Sequence, residues 1–420
     1  MKIAFFTDTY YPQINGVSKS IEIFVNQLRK NGHEVHLFCP DGLQRKKYIH
    51  PLDSSTFTNY PEYRLGLPDL KIINEVKKID PDVIHVHSPF SIGVTGMSVA
   101  KILKIPVVAT YHTHLSAYFD YMGSMNFSED MAYVYTKWFY DRASINIVPS
   151  KSIRNFLRKC EIKKPIKLVP TPLDFRILKR SNRKGKKLKI LHVGRLCKEK
   201  RIEMVLNAFE SVHKKIDSKL IISSDGPDRE RLEEICKELK IEKDVVFTGY
   251  ISNKKLLKLY SSSDVFVSAS DTETQGLVIL EAMSRGCPVI ARNALGFKDV
   301  IHNKKNGILF DTEDELVKNI LLLNNNNKLR KSLVNNGYET VKMFNISNYV
   351  NRMENIYRES SDKKKDSKKI WKILYFSYLF FISIESILIK SMDITVNSRF
   401  LDLHMRFFKS ALFFEKLRRP

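Results

Sequence analysis

The sequence predicts an α/β chain of two doubly wound, Rossmann-like domains followed by a basic, aromatic tail. Three observations lead there. Short apolar runs alternate with longer amphipathic segments, the signature of parallel strands crossed over by helices. The alternation breaks at a polar, basic stretch near residues 171–188 and then restarts. At 420 residues the chain is also too long for one ordinary core.

The first series opens with Ile3–Phe6 as a buried strand, then a loop, then a helix with Ile21, Phe24, Val25 and Leu28 at helical spacing. Gly32 ends that helix before a strand at Glu34–Cys39, and Val83–Val86, Val107–Thr110 and Ile145–Pro149 repeat the theme. The run Lys179–Arg180–Ser181–Asn182–Arg183–Lys184–Gly185–Lys186–Lys187 reads as linker. A second series follows with strands at Leu188–Val193, Lys219–Ser223, Val245–Gly249, Val265–Ser268 and Val289–Ala291, and a clear helix at Arg229–Leu239. The domains are set at 1–175 and 176–345, with a crossing helix over 346–360 and the tail over 361–420. Two such halves would face each other across a cleft, with ligand at the strand C-termini. Asn324–Asn327 reads as a surface loop.

Lys and Arg number 70 against 46 Asp and Glu, a net charge of +24 that predicts attraction to polyanions or anionic membranes. The five cysteines form no CxxC pair, which argues against a disulfide framework or zinc site and fits a reducing compartment. The start, MKIAFFTDTYYPQ, is broken by Thr7, Asp8 and Pro12 and does not read as a signal peptide, so a cytoplasmic catalytic part is expected.

The most informative stretch is Ser270–Asp271–Thr272–Glu273–Thr274–Gln275–Gly276–Leu277–Val278–Ile279–Leu280–Glu281. Glu273 falls in the loop after a strand, and Glu281 about two turns into the next helix. That helix begins at Gly276–Leu277, where unpaired N–H groups and a positive dipole end suit a phosphate or sugar hydroxyls. Taken alone, the pair reads as an ordinary loop acid and a helix-surface acid. Arg195 and Lys200 lie just beyond a strand end, placed to reach a diphosphate or simply to be solvated. Gly16, in the first strand–helix loop, would let backbone approach a phosphate. His112 follows the strand Val107–Thr110, and His114 would face the other way in an extended segment. His85 and His87 fit strand-end packing better, and Asp225–Gly226–Pro227 reads as a turn.

In order, Tyr11–Pro12–Gln13–Ile14–Asn15–Gly16–Val17, His112 in Thr110–Tyr111–His112–Thr113, Gly194–Arg195–Leu196, Lys200, Asp225–Gly226–Pro227, Gly249–Tyr250 and the paired glutamates are set out along residues 1–345. The series resembles the family 4 retaining glycosyltransferases of GT-B fold, including their E-x7-E motif. The resemblance implies a nucleotide-sugar donor. It gives Arg195 and Lys200 to the diphosphate and Glu281 to the ribose, and sets Glu273 and His112 near the donor sugar. Gly16, Gly276 and Leu277 join the donor site. No Asp-x-Asp metal motif of the other large glycosyltransferase fold is evident, so no cofactor and no essential metal are expected.

Within the family, the phrasing at Phe6–Val17 and Thr272–Leu277 looks most like the bacterial 1,2-diacylglycerol 3-glucosyltransferases. That implies a UDP-sugar donor, a membrane lipid acceptor and a peripheral site on the cytoplasmic face of the membrane. Pro68–Ile79, with Lys71, Lys77 and Lys78, and Lys151–Lys164, with Arg154, Arg158 and Lys159, suit an anionic lipid surface or the solvated face of core-packing helices. The aromatics between Leu115 and Tyr140 would line an acyl groove or fill a core. The tail holds 13 Lys/Arg, 6 Asp/Glu and 11 aromatics, and Ile370–Ile389 is interrupted by Lys372 and Glu385. It reads as interfacial or protein-packed rather than as a span. A soluble or polysaccharide acceptor is the alternative within enzymes. A nucleic-acid-binding protein would explain the charge, but no recognisable binding element supports it.

Overall fold

The computed structural model describes residues 1–362 apart from 12, 14, 43–45, 58–59, 67–70, 113–128, 174–176 and 178–186. It divides into two units, one of residues 1–148, 154–169 and 350 onward, the other of residues 149–153 and 170–349. The tail, most of the basic linker, His114 and the aromatics from Tyr118 to Phe127 lie outside the described residues.

The first unit runs β1 (Lys2–Phe6), α1 (Gly16–Lys30), β2 (Glu34–Pro40), β3 (Ile49–Leu52), β4 (Ser54–Phe57), β5 (Tyr60–Gly66), α2 (Lys71–Ile79), β6 (Val83–Val86), α3 (Ser91–Leu103), β7 (Val107–Thr110), α4 (Glu129–Tyr140), β8 (Ile145–Val148), α5 (Lys151–Lys159) and β9 (Ile166–Leu168). Seven strands form a parallel sheet in the order β3-β2-β1-β6-β7-β8-β9, and β4 and β5 pair as an antiparallel ribbon. Ile3, Ala4, Phe5 and Phe6 are all fully buried, as expected of a central parallel strand covered on both faces. A β-carbon on Gly96 would lie 2.6 Å from the Phe6 ring, so glycine is what lets α3 settle on β1.

The N-terminus of α3 is capped from far away in sequence. Phe90 offers no side-chain cap, and the Asp8 carboxylate instead accepts from Ile92 N at 2.7 Å, Gly93 N at 3.1 Å and Ser88 Oγ at 2.7 Å. A buried anion there is stabilised by three donors and the helix dipole, and it pins the loop after β1.

The second unit runs β10 (Leu188–Val193), a 3₁₀ turn (Lys198–Lys200), α6 (Ile202–His213), β11 (Ser218–Ser223), α7 (Arg229–Glu238), β12 (Val245–Phe247), α8 (Asn253–Ser262), β13 (Val265–Ser268), α9 (Leu277–Ser284), β14 (Val289–Arg292), α10 (Leu295–Val300), β15 (Ile308–Phe310), α11 (Glu313–Asn325) and α12 (Asn327–Lys342). Its six parallel strands are ordered β12-β11-β10-β13-β14-β15. Period-2 alternation sorts their side chains between two layers. Ile190, Val265 and Val267 pack with α6 and α11, and Leu191 and Phe266 with Tyr260, Ile279 and Leu280 on the other face.

The last described helix, α13 (Ile346–Ser361), belongs to the first unit from Val350 onward. Tyr357 is fully buried and stacks on Phe24, while Glu354 accepts from Asn31 and meets His33.

The sequence reading missed β3, β9, β15 and the β4–β5 ribbon, whose short or Pro- and His-containing strands carry no sustained periodicity. Asn324–Asn327 is not a loop. Asn326 accepts from Leu329 N at 2.9 Å and starts α12 directly after α11. The second basic helix ends at Lys159, earlier than expected, and the apolar stripes of both, Ile72 and Val76 in α2 and Ile153 and Leu157 in α5, are buried. In α4, Tyr135, Phe139 and Tyr140 are core residues.

Candidate functional site

In the second unit, β10 and β13 are neighbours although β11, β12 and the helices between them intervene in sequence, so the strand order reverses between them. Ligands of doubly wound sheets sit at such a reversal, beyond the strand C-termini. The segments leaving these two strands carry Arg195, Lys200 and Glu273. Two ion pairs tie them together: Lys200 Nζ to Glu273 Oε1 at 2.5 Å, and Arg201 Nε to Asp271 Oδ2 at 2.5 Å. Arg195 reaches Glu199 Oε1 at 3.4 Å, while the second Glu199 oxygen is buried without a partner. Burial works to lower the Lys200 pKa, but the adjoining Glu273 carboxylate outweighs it with help from Cys197 and Glu199, so the ammonium is held charged.

Beneath this group, His192 donates from Nδ1 to the Val267 carbonyl at 3.0 Å. Its Nε2 is buried and unpartnered, and burial brings its pKa down to about 4, so the ring is neutral.

The loop after β13 is braced at its far end. Gln275 is 3% exposed; its Oε1 accepts from Thr171 N at 2.6 Å and its Nε2 donates to Thr171 O at 3.0 Å. Gly276 then takes φ +82, and a β-carbon would stand 2.5 Å from the Phe297 ring, so only glycine fits. It caps α9 with no side-chain hydrogen bond; Ile279 N donates to the Gly276 carbonyl at 3.0 Å, which leaves Leu277 and Val278 as the first-turn N–H donors for an anion or hydroxyl. Glu281 lies just over one turn into α9, not two, and its Oε2 accepts from the buried Tyr260 Oη at 2.9 Å. Burial, then this carboxylate, raises the Tyr260 phenol well above its ordinary pKa, so it stays a donor.

In the first unit, Gly16 is the exposed first residue of α1. Asn15 Oδ1 already accepts from Val17 N and Ser18 N, both at 2.9 Å, so two of the first-turn donors are spent on a capping box. His112 follows β7, and its Nε2 lies 3.1 Å from His87 Nδ1 with the rings stacked 5.4 Å apart. Burial lowers the His112 pKa to about 4 and those of His85 and His87 well below 6.5. All three are neutral at pH 7. His85 bridges Tyr357 Oη and Thr110 Oγ1, each at 2.7 Å, and so bonds α13 to the sheet.

Lys71, Lys77 and Lys78 of α2 and Arg158 and Lys159 of α5 are exposed. Arg154 does not join them: it is partly buried, with Nε unpartnered. Because both helices turn their apolar stripes into the core, they can offer a lipid surface charge and no inserting face. Among the described residues no helix is long and apolar enough to cross a membrane, and no three His, Cys, Asp or Glu side chains gather for a metal.

Sequence reasoning missed Glu199, Arg201, Asp271, Gln275 and Tyr260. Arg201 and Asp271 flank Lys200 and Glu273 in the motifs and could have been paired; Tyr260 and Gln275 carry no local signal, because their partners are distant in sequence.

Two family profiles match the chain: Glycosyltransferase Family 4 over residues 14–176 and Glycosyl transferases group 1 over residues 174–340. The chain is 33% identical over 342 residues to the alpha-monoglucosyldiacylglycerol synthase of Streptococcus pneumoniae, covering 76% of this chain and 78% of that one. A synthase of the same name from Acholeplasma laidlawii is 28% identical over 398 residues, 88% of this chain and 100% of its own. A GDP-mannose-dependent alpha-mannosyltransferase of Mycolicibacterium smegmatis is 29% identical over 333 residues, 74% of this chain and 85% of its own. Among solved structures, Anabaena Alr3699/HepE in complex with UDP and glucose superposes with a TM-score of 0.69 at 18% identity, over 86% of this chain and 100% of that one.

Proposed function

Because the chain belongs to glycosyltransferase family 4 and has its GT-B fold, we propose that it is a retaining hexosyltransferase that moves glucose from UDP-glucose to diacylglycerol at an anionic membrane surface. The observation that carries the reading is the convergence, at the β10–β13 reversal, of Arg195, the Lys200–Glu273 pair and the uncapped start of α9. Two fixed cations and the N–H groups of Leu277 and Val278 match a diphosphate leaving group, whose negative charge grows as the sugar bond breaks. In this assignment Arg195 and Lys200 stabilise the leaving diphosphate and Glu281 takes the ribose hydroxyls. Glu273 and His112 contact the transferred sugar. Lys200 has three N–H donors and can serve Glu273 and a phosphate oxygen together. With the charge handled by side chains and backbone, turnover requires no divalent metal.

The lipid acceptor is supported by the names of the two synthases and by the exposed lysines of α2. The mannosyltransferase relative makes GDP-mannose the donor to exclude. The test is incubation of the purified protein with UDP-glucose, UDP-galactose or GDP-mannose and vesicles of diacylglycerol in anionic phospholipid, with and without EDTA, followed by lipid analysis. Glucosyl lipid from UDP-glucose in EDTA is the expected product. Transfer from GDP-mannose alone, or only to a water-soluble acceptor, overturns the donor or the acceptor respectively.

A further inference from the structure

His87 has no task in the function proposed above, yet it is 2% exposed and its Nδ1 lies 3.1 Å from Nε2 of His112. Its ring lies among Phe5 at 4.9 Å, His85 at 3.9 Å and His112 at 5.4 Å, and its Nε2 is buried with no partner. A neutral imidazole carries one N–H and one lone pair, so the contact between the two rings can be made in two ways. Were His112 to donate from Nε2, His87 would have to carry its own proton on Nε2, and that N–H would be buried without an acceptor. Were His87 to donate from Nδ1, its Nε2 would present only a lone pair. A buried donor left unmade is costlier and rarer than an unused acceptor, so the second arrangement is favoured.

We infer that His87 is a positioning residue that donates to His112 and fixes it as the Nδ1–H tautomer, so that His112 meets the transferred sugar as a hydrogen-bond donor and not as a base. The contact with the sugar rests on the proposed function; the tautomer does not. Charging either ring would place an imidazolium in a buried stack beside His85, and the lowered pKa values of all three agree with a neutral cluster.

Long-range ¹H–¹⁵N correlation spectra of the full chain test the tautomer directly. Wild-type His112 is expected to show its proton on Nδ1 and a lone pair on Nε2. His87→Phe keeps a stacking ring and removes the donor. It should abolish the tautomer preference and lower kcat about tenfold, with KM for the sugar nucleotide little changed. His87→Asn places an amide N–H where Nδ1 was and should restore both, whereas His87→Gln, whose amide falls at the Nε2 position, should not. A wild-type His112 protonated on Nε2, or a tautomer unaltered in His87→Phe, overturns the inference. If the tautomer shifts as expected in His87→Phe while kcat holds, the positioning by His87 stands and the contact of His112 with the sugar falls.

Discussion

The Lys200–Glu273 pair permits a quantitative test of how the second unit handles charge. The side chains are 19% and 23% exposed, sheltered enough to resist screening but not cut off from water. A charged hydrogen bond of this kind contributes about 1.5–3 kcal/mol, short of the 3–5 kcal/mol lost when a fully buried pair is broken. We therefore expect a coupling of about 2 kcal/mol in a double-mutant cycle of Lys200→Met and Glu273→Gln. For a domain of this size that corresponds to about 4–8 °C in the melting midpoint. The same variants, titrated with UDP in a calorimeter, should part company. Lys200→Met removes the cation and weakens UDP binding. Glu273→Gln leaves the ammonium in place without its competing carboxylate, so UDP binds at least as well while turnover slows. A coupling below about 0.5 kcal/mol would show that the pair does not brace the site. Equal loss of UDP affinity in both variants would place Glu273 on the nucleotide and refute the division of roles.

Glu281→Ala should both weaken UDP binding and destabilise the fold, because it strands the buried Tyr260 hydroxyl; Tyr260→Phe should restore stability to the Ala variant but not its affinity, and recovery of both would remove Glu281 from the nucleotide. His192 titrates near 4 in the native state and near 6.5 unfolded, so its contribution is fully present above pH 6.5 and drains away as the pH falls toward 4. That loss amounts to about 3 kcal/mol. His192→Asn, which keeps a donor for Val267 O, should flatten the decline in denaturant titrations across this range, and an unchanged slope would count against the buried neutral ring. Replacing Lys71, Lys77 and Lys78 with Ala should cost about 1 kcal/mol each in binding to anionic vesicles and reduce the salt dependence. Ending the chain after residue 362 leaves α13 in place and should lower vesicle binding further; if it does not, the tail is no membrane element.

The central strands were legible because parallel strands buried on both faces write themselves as continuous apolar runs, and Val83–Val86, Val107–Thr110, Leu188–Val193 and Val265–Ser268 agree residue for residue. Edge strands such as β9 and β15 are three residues long and carry too little pattern. The same locality limits the site. Arg195, Lys200 and Glu273 could be nominated because each lies beside a strand end. The hydrogen bonds of Gln275 to Thr171 and of Glu281 to Tyr260 depend on segments that only the fold brings together. Amphipathic periodicity in α2 and α5 could not reveal whether the apolar stripe meets lipid or protein, since both bury the same residues.

The bond from Tyr357 to His85 joins residues 272 apart, and it constrains the order in which the chain can be completed during synthesis. At roughly 5–20 residues per second, the segment from the end of β9 to α13 takes about 10–35 s to emerge. Through that interval the N-terminal unit has its sheet but lacks the helix that covers Phe24 and His85, leaving an apolar, half-satisfied surface on the ribosome-bound chain. The second unit is contiguous there and free to finish first. A nascent chain stalled before residue 346 should accordingly present a protease-resistant C-terminal unit beside an N-terminal unit still open to chaperones.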